Sequence, residues 1–162
     1  MDLLETKNRI AQSLVESIFR RADYQFTRFT PETNSLQVGR DDFSPDFRVT
    51  RQPRQGPPRE FLIEVKYRPA IEQYLSVETQ RGDKSIFLMA RHKWPNLYFV
   101  FVSERPEPGR SCFQVVNLRA HAAGEPFAAV DLADAKEVWV FLQNVEEHEE
   151  LLRCIFASLT ST

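Results

Sequence analysis

Apolar residues recur at helical spacing near the start of the chain, at Leu3, Ile10, Ala11, Leu14, Val15, Ile18 and Ala22. This spacing predicts an amphipathic helix from about Leu3 to Arg21 that packs on whatever follows it. The period then drops to two. Tyr24-Gln25-Phe26-Thr27-Arg28-Phe29 alternates apolar and polar residues, as a half-buried strand does. Thr30-Pro31-Glu32-Thr33-Asn34-Ser35 is turn chemistry. From Pro45 to Arg51 the alternation returns, with Phe47 and Val49 on one side and Asp46, Arg48 and Thr50 on the other. The run from Gln52 to Pro58 holds three prolines and cannot continue a sheet, because proline lacks the N–H and fixes φ. Phe61 to Tyr67 is the next strand, with Phe61, Ile63, Val65 and Tyr67 on the core face and Leu62, Glu64 and Lys66 on the other. Two strands joined so briefly predict a hairpin.

Ala70 to about Lys93 reads as one helix, or as two helical pieces broken near Gly82, ended by Trp94-Pro95. His92 and Trp94 are expected to close that helix and pack under the sheet. Leu97 to Ser103 is a nearly unbroken run of apolar β-formers, which predicts a central strand covered on both faces. Cys112 to Leu118 predicts a further strand, Phe127 to Asp131 a short one, and Val145 to Leu159 a closing amphipathic helix. The predicted order is α, β, β, β, α, β and then peripheral elements: an α/β fold with a mixed central sheet flanked by helices and a C-terminal helix. With five glycines and no glycine-rich loop, nucleotide-cradling motifs are excluded.

The length of 162 residues fits a single domain spanning 1–162, and 42% apolar residues with 13 Phe supply its core. No apolar run approaches the roughly 20 residues of a membrane helix, and the first residues lack a signal-peptide pattern, so no membrane association and a cytoplasmic location are expected. Cys112 and Cys154 are far apart and without zinc spacing, and both are expected as reduced core thiols. His121 and His148 have no spaced partners and are expected to be structural or solvent-exposed.

The net charge of −2 argues against coating nucleic acid by charge alone. The charges are nevertheless segregated. Arg40, Arg48, Arg51, Arg54, Arg59, Lys66 and Arg68 form one basic group, and Arg81, Lys84, Arg91 and Lys93 another. Acids dominate between Glu125 and Glu150. A basic face and an acidic face would reconcile a near-neutral total with a polyanionic ligand, and a mixed solvated surface would leave the same tally.

Glu64 and Lys66 share one face of a strand that Val65 anchors in the core, so both reach one small site. Asp46 starts the preceding strand and comes beside Glu64 if the hairpin register allows it. Two converging carboxylates repel unless a cation binds between them, and magnesium prefers such oxygen donors. A cation there lowers the pKa of bound water and neutralises phosphoryl charge, while Lys66 can orient the water or stabilise the developing charge.

Pro45-Asp46 followed by Glu64-Val65-Lys66, within an α-β-β-β-α-β order covering roughly Leu3 to Ser103, resembles the PD-(D/E)XK nuclease superfamily. The resemblance implies a restriction-endonuclease-like core and a DNA endonuclease using Mg2+, with Mn2+ as substitute. It implies metal binding by Asp46, Glu64 and the carbonyl of Val65, and a catalytic role for Lys66. Many members place a Glu on the first helix. The corresponding position here is closest to Gln12, which departs from the pattern, with Glu16 as the alternative; Glu5, Gln12 and Glu16 share one side of that helix. Gln80, Arg81 and Lys84 on the second helix are candidates for phosphate contacts or an exposed polar face, and Gln73 and Tyr74 are weaker candidates.

Two other classes compete with a DNA-cleaving enzyme. One is a non-catalytic descendant that binds nucleic acid or a protein partner. The other is a scaffold in which Glu64 and Lys66 form an ordinary same-face pair. Cleavage of both strands would favour a homodimer, with Val138, Trp139, Val140, Phe141, Leu151, Leu152, Ile155 and Phe156 in its core or its interface.

Overall fold

A computed structural model describes residues 2–29, 36–38 and 41–160. Arg40 and the turn expected at Thr30–Ser35 lie outside them. Helix α1 spans Leu3–Arg20 and is started by Asp2, whose carboxylate accepts from the Leu4 and Glu5 N–H groups at 3.0 and 3.3 Å. These donors have no partner within the helix, so the cap stabilises its first turn by about 1 kcal/mol. Strand β1 (Gln25–Arg28) follows, then β2 (Leu36–Val38), β3 (Asp41–Phe43), β4 (Phe47–Arg51) and β5 (Arg59–Tyr67). Helices α2 (Ile71–Gln80) and α3 (Ile86–Lys93) are separated by a 3-10 turn at Gly82–Lys84, so the predicted helical stretch is two pieces broken at Gly82, where φ is +56. Strands β6 (Leu97–Val102), β7 (Phe113–Asn117) and β8 (Val130–Asp131) precede the C-terminal helix α4 (Leu142–Thr160).

The main sheet has six strands in the order β1-β4-β5-β6-β7-β8. Neighbours are antiparallel except β5 and β6, whose parallel pairing is permitted by the α2–α3 crossover. Strand β6 is internal and buried along its whole length, as its unbroken apolar run predicts. Strands β2 and β3 form a separate antiparallel ribbon that the hydrophobic pattern did not reveal.

Each face of the sheet has its own core. On one, Ile63, Val65, Val100 and Val102 pack against Ala11, Val15 and Ile18 of α1 and Leu152 and Phe156 of α4. On the other, Leu62, Phe99 and Phe101 pack with Ile71 and Leu75 of α2 and Phe87 of α3. The expectation of one core face and one open face for β5 is therefore corrected: Leu62 is 5% exposed and Glu64 7%, because α2 and α3 cover the second face.

Other expectations divide into those met and those changed. Cys112 is buried, and burial pushes its thiol up to about 12, whereas Cys154 is exposed on α4. Phe127 is not in a strand; its ring packs edge-on to Phe87 at 4.9 Å and stacks with His121 at 4.3 Å. His148 is 4% exposed and held by Ser17 Oγ at 2.8 Å and the Asn144 carbonyl at 2.6 Å, a structural role. Trp94 caps the end of α3 and is buried, whereas His92 is exposed. The apolar positions near the end divide: Val138, Leu152 and Phe156 enter the core, while Trp139, Phe141 and Leu151 remain exposed. Among the described residues no helix is long and apolar enough to cross a membrane.

Candidate functional site

The antiparallel ladder of β4 and β5 pairs Phe47 with Ile63 and Arg51 with Arg59. One step past its end, the Asp46 N–H donates to the Ile63 carbonyl at 3.0 Å, and the Phe29 N–H donates to the Asp46 carbonyl at 3.0 Å. Both backbone groups of Asp46 are thereby clamped between the residue that follows β1 and the middle of β5. Continuing the register sets Asp46 opposite Glu64, and the Asp46 carboxylate accepts from the Val65 N–H at 3.0 Å. The two acids that lie 18 positions apart in sequence are brought together by this register.

Beyond Asp46 the edge of β5 has no strand beside it among the described residues, and side chains take over the ladder. Asp46 satisfies Val65, and Asn8 Oδ1 of α1 accepts from the Tyr67 N–H at 2.9 Å. The N–H and C=O of a strand residue point to the same side, so the Val65 carbonyl faces the same edge, between these two caps. An oxygen donor thus lies beside both carboxylates.

Burial, then a hydrogen bond with Asp46 and the Asp46 charge, holds the Glu64 carboxyl well above the usual range; Lys66 and Arg68 pull it down less strongly. Lys66 follows on the same strand face, its ammonium 5.9 Å from the Phe43 ring centroid. Arg68 donates to the Tyr67 carbonyl at 2.7 Å and lies over the Tyr74 ring at 4.6 Å. Two acids and two cations meet at the C-terminal end of β5.

A cavity of about 300 Å3 opens there, lined by Asp2, Glu5, Asn8, Glu64, Lys66 and Arg68 with Val65. Helix α1 crosses the site with its first turns. Gln12 and Glu16, the first-helix candidates, line an adjoining groove of about 630 Å3 that also borders on Glu5 and Asn8. Glu16 is ion-paired with Arg20 at 3.2 Å and stands roughly 16 Å along the helix from Glu5 at 1.5 Å per residue. The first-helix acid that shares a cavity with Glu64 is Glu5. Gln80, Arg81 and Lys84 are exposed at the end of α2 and do not line the cavity; Arg81 is paired with Glu78 at 3.5 Å. Tyr74 is half-buried against Arg68, and Gln73 is exposed.

Sequence reasoning missed Glu5, Asn8 and Arg68 as neighbours of the acids. Arg68 was legible as a third residue of the Glu64, Lys66 alternation. Glu5 and Asn8 were not, because the direction in which α1 crosses β5 selects them. No family model matches this sequence, and neither does any curated protein or solved structure.

Proposed function

We propose that the chain is a metal-dependent DNA endonuclease of restriction-endonuclease-like type, with its site at the junction of β4 and β5. The observation that carries this reading is the register that puts Asp46 opposite Glu64, with Lys66 two residues along the same face. The donor set suits a hard cation. Asp46, Glu64 and the Val65 carbonyl offer oxygen alone, and magnesium needs only one or two carboxylates when waters and a phosphate complete its shell. Among the described residues no group of three or more His, Cys, Asp or Glu converges, so the reading rests on two carboxylates and a backbone carbonyl.

When bound, Mg2+ or Mn2+ supplies Lewis acidity toward the scissile phosphate and lowers the pKa of a coordinated water. Asp46 and Glu64 would hold that ion, and the hydrogen bond from the Val65 N–H fixes the Asp46 carboxylate. Lys66 orients the attacking water and balances the charge that grows on the phosphate oxygens. Arg68, seated on Tyr74, adds a planar donor suited to a phosphate. Burial and the neighbouring Asp46 raise the Glu64 carboxyl, so a proton there would compete with the ion.

Incubation with plasmid, linear and branched DNA in magnesium tests the reading. Cleavage that disappears in Lys66→Ala and Asp46→Asn is expected; no cleavage of any substrate, or equal cleavage by both variants, overturns it. A second reading, a catalytically inactive module that binds nucleic acid or protein, is favoured by the upward shift of Glu64, since burial and Asp46 favour its neutral form, which needs no metal. Manganese titration separates the two, because the module has no ion site that depends on Asp46 and Glu64.

A further inference from the structure

The end of β5 remote from Glu64 carries a groove of about 660 Å3 whose walls include Arg59, Phe61, Asn96, Arg119, Lys136 and Trp139. Arg59 and Glu64 are five strand positions apart, about 17 Å along β5, so this groove is separate from the carboxylate cavity.

Its distinctive residue is Trp139. Trp139 is 54% exposed, and its backbone has φ 58, the left-handed region that a bulky residue enters only against steric cost. The chain is pinned beside it, since Val138 is buried and its carbonyl accepts from the Tyr24 hydroxyl. The guanidinium carbons of Arg51 and Arg59 lie 5.3 and 5.4 Å from the indole centroid, and Arg59 also donates to the Glu137 carbonyl at 3.5 Å. Val138 anchors the backbone in the core, and beside the two guanidinium groups more than half of Trp139 stays open to solvent.

The surrounding charge is mainly positive. Arg51, Arg59, Arg119 and Lys136 stand near Glu60 and Glu137, and both acids already have partners: Glu60 is ion-paired with Arg48 at 3.7 Å, and the Glu137 carboxylate accepts from Asn117 at 3.0 Å. Cations alone would suit any polyanion. An exposed aromatic ring among them suits a polyanion that also offers flat apolar faces, and unpaired bases on a phosphodiester chain have that chemistry. A duplex hides those faces within its own stack.

We propose that this groove binds single-stranded nucleic acid, with Trp139 stacking on a base and Arg59, Arg119 and Lys136 meeting the flanking phosphates. The interaction needs no metal and no cleavage, so it stands apart from the proposed nuclease site. The test uses the full chain carrying Asp46→Asn, in EDTA, with a fluorescein-labelled oligothymidylate read by anisotropy. Trp139→Ala should weaken binding about tenfold or more, and Trp139→Phe should largely restore it, since stacking of a base on an aromatic contributes about 1–3 kcal/mol. Lys136→Glu should weaken binding and flatten its salt dependence. A blunt duplex of the same length should bind more weakly than the single strand. Absence of oligothymidylate binding, or binding unchanged in a Trp139→Ala protein whose circular dichroism shows it folded, overturns the proposal. So does a dimer in light scattering that Trp139→Ala dissociates while leaving oligonucleotide binding intact, because that assigns the surface to self-association. Without metal and without Asp46, failure here leaves the nuclease reading standing, and failure of cleavage leaves this one standing.

Discussion

The two ends of β5 differ in how they are built. At the C-terminal end, Glu64 is 7% exposed and Asp46 is bound through its backbone and side chain, so the polar groups are buried in the frame of the sheet. At the N-terminal end, Trp139 is 54% exposed and belongs to the segment between β8 and α4, held by cations rather than by a ladder. Burial strengthens electrostatics and suits chemistry, whereas exposure with retained aromatic area suits binding of a mobile chain. One rigid strand offers both kinds of surface.

The largest effect should come from breaking the support that the two ends share. Phe87 is fully buried, 4.6 Å from Phe99 of β6 by ring centroids, and Phe87→Ala should lower unfolding free energy by about 3–5 kcal/mol in urea denaturation, through lost contacts and the cavity left behind. Next, Lys66→Ala should reduce magnesium-dependent cleavage by about 10^2–10^3-fold while leaving stability nearly unchanged, as expected for loss of one group that stabilises transition-state charge. Kinetics and denaturation measured on the same preparation would separate that outcome from a structural loss.

Asn8→Ala should be milder. It leaves the buried Tyr67 N–H without its acceptor and should cost about 1–3 kcal/mol of stability, read by thermal denaturation, with cleavage falling because the Val65–Tyr67 edge loosens. The smallest and most diagnostic change is Glu64→Gln. Because the Glu64 carboxyl is raised in the folded state, its contribution to stability is complete below the ordinary value near 4.5 and is lost as pH rises through the raised value. Metal-free Glu64→Gln should therefore match the parent at acid pH and become the more stable protein as pH rises. Denaturation across that range checks it, and a constant difference at every pH would show that folding leaves the Glu64 carboxyl at its ordinary value. No such pH dependence is expected from Trp139→Ala, which removes no titrating group.

Much of the fold was legible because periodicity reports burial directly. The stripe from Ala11 to Ile18, the alternation of β4 and β5 and the apolar run of β6 each name their own environment. The ribbon of β2 and β3 was not legible, since three-residue strands are too short for a period to show. Cys154 was misplaced for a related reason: residue type gives a burial preference, and only the orientation of α4 decides which side of that helix meets the core.

The same division holds for the candidate site. Sequence alone determined that Glu64 and Lys66 share a face and placed Asp46 at the entry to the preceding strand, because side-chain alternation along a strand is a local property. Register, helix direction and the second covering layer are long-range properties, and only the tertiary structure decided them. It set Asp46 opposite Glu64, brought Glu5 and Asn8 rather than Gln12 and Glu16 to the cavity, moved Gln80, Arg81 and Lys84 away from it, and buried Glu64 so that its carboxyl is hard to ionise.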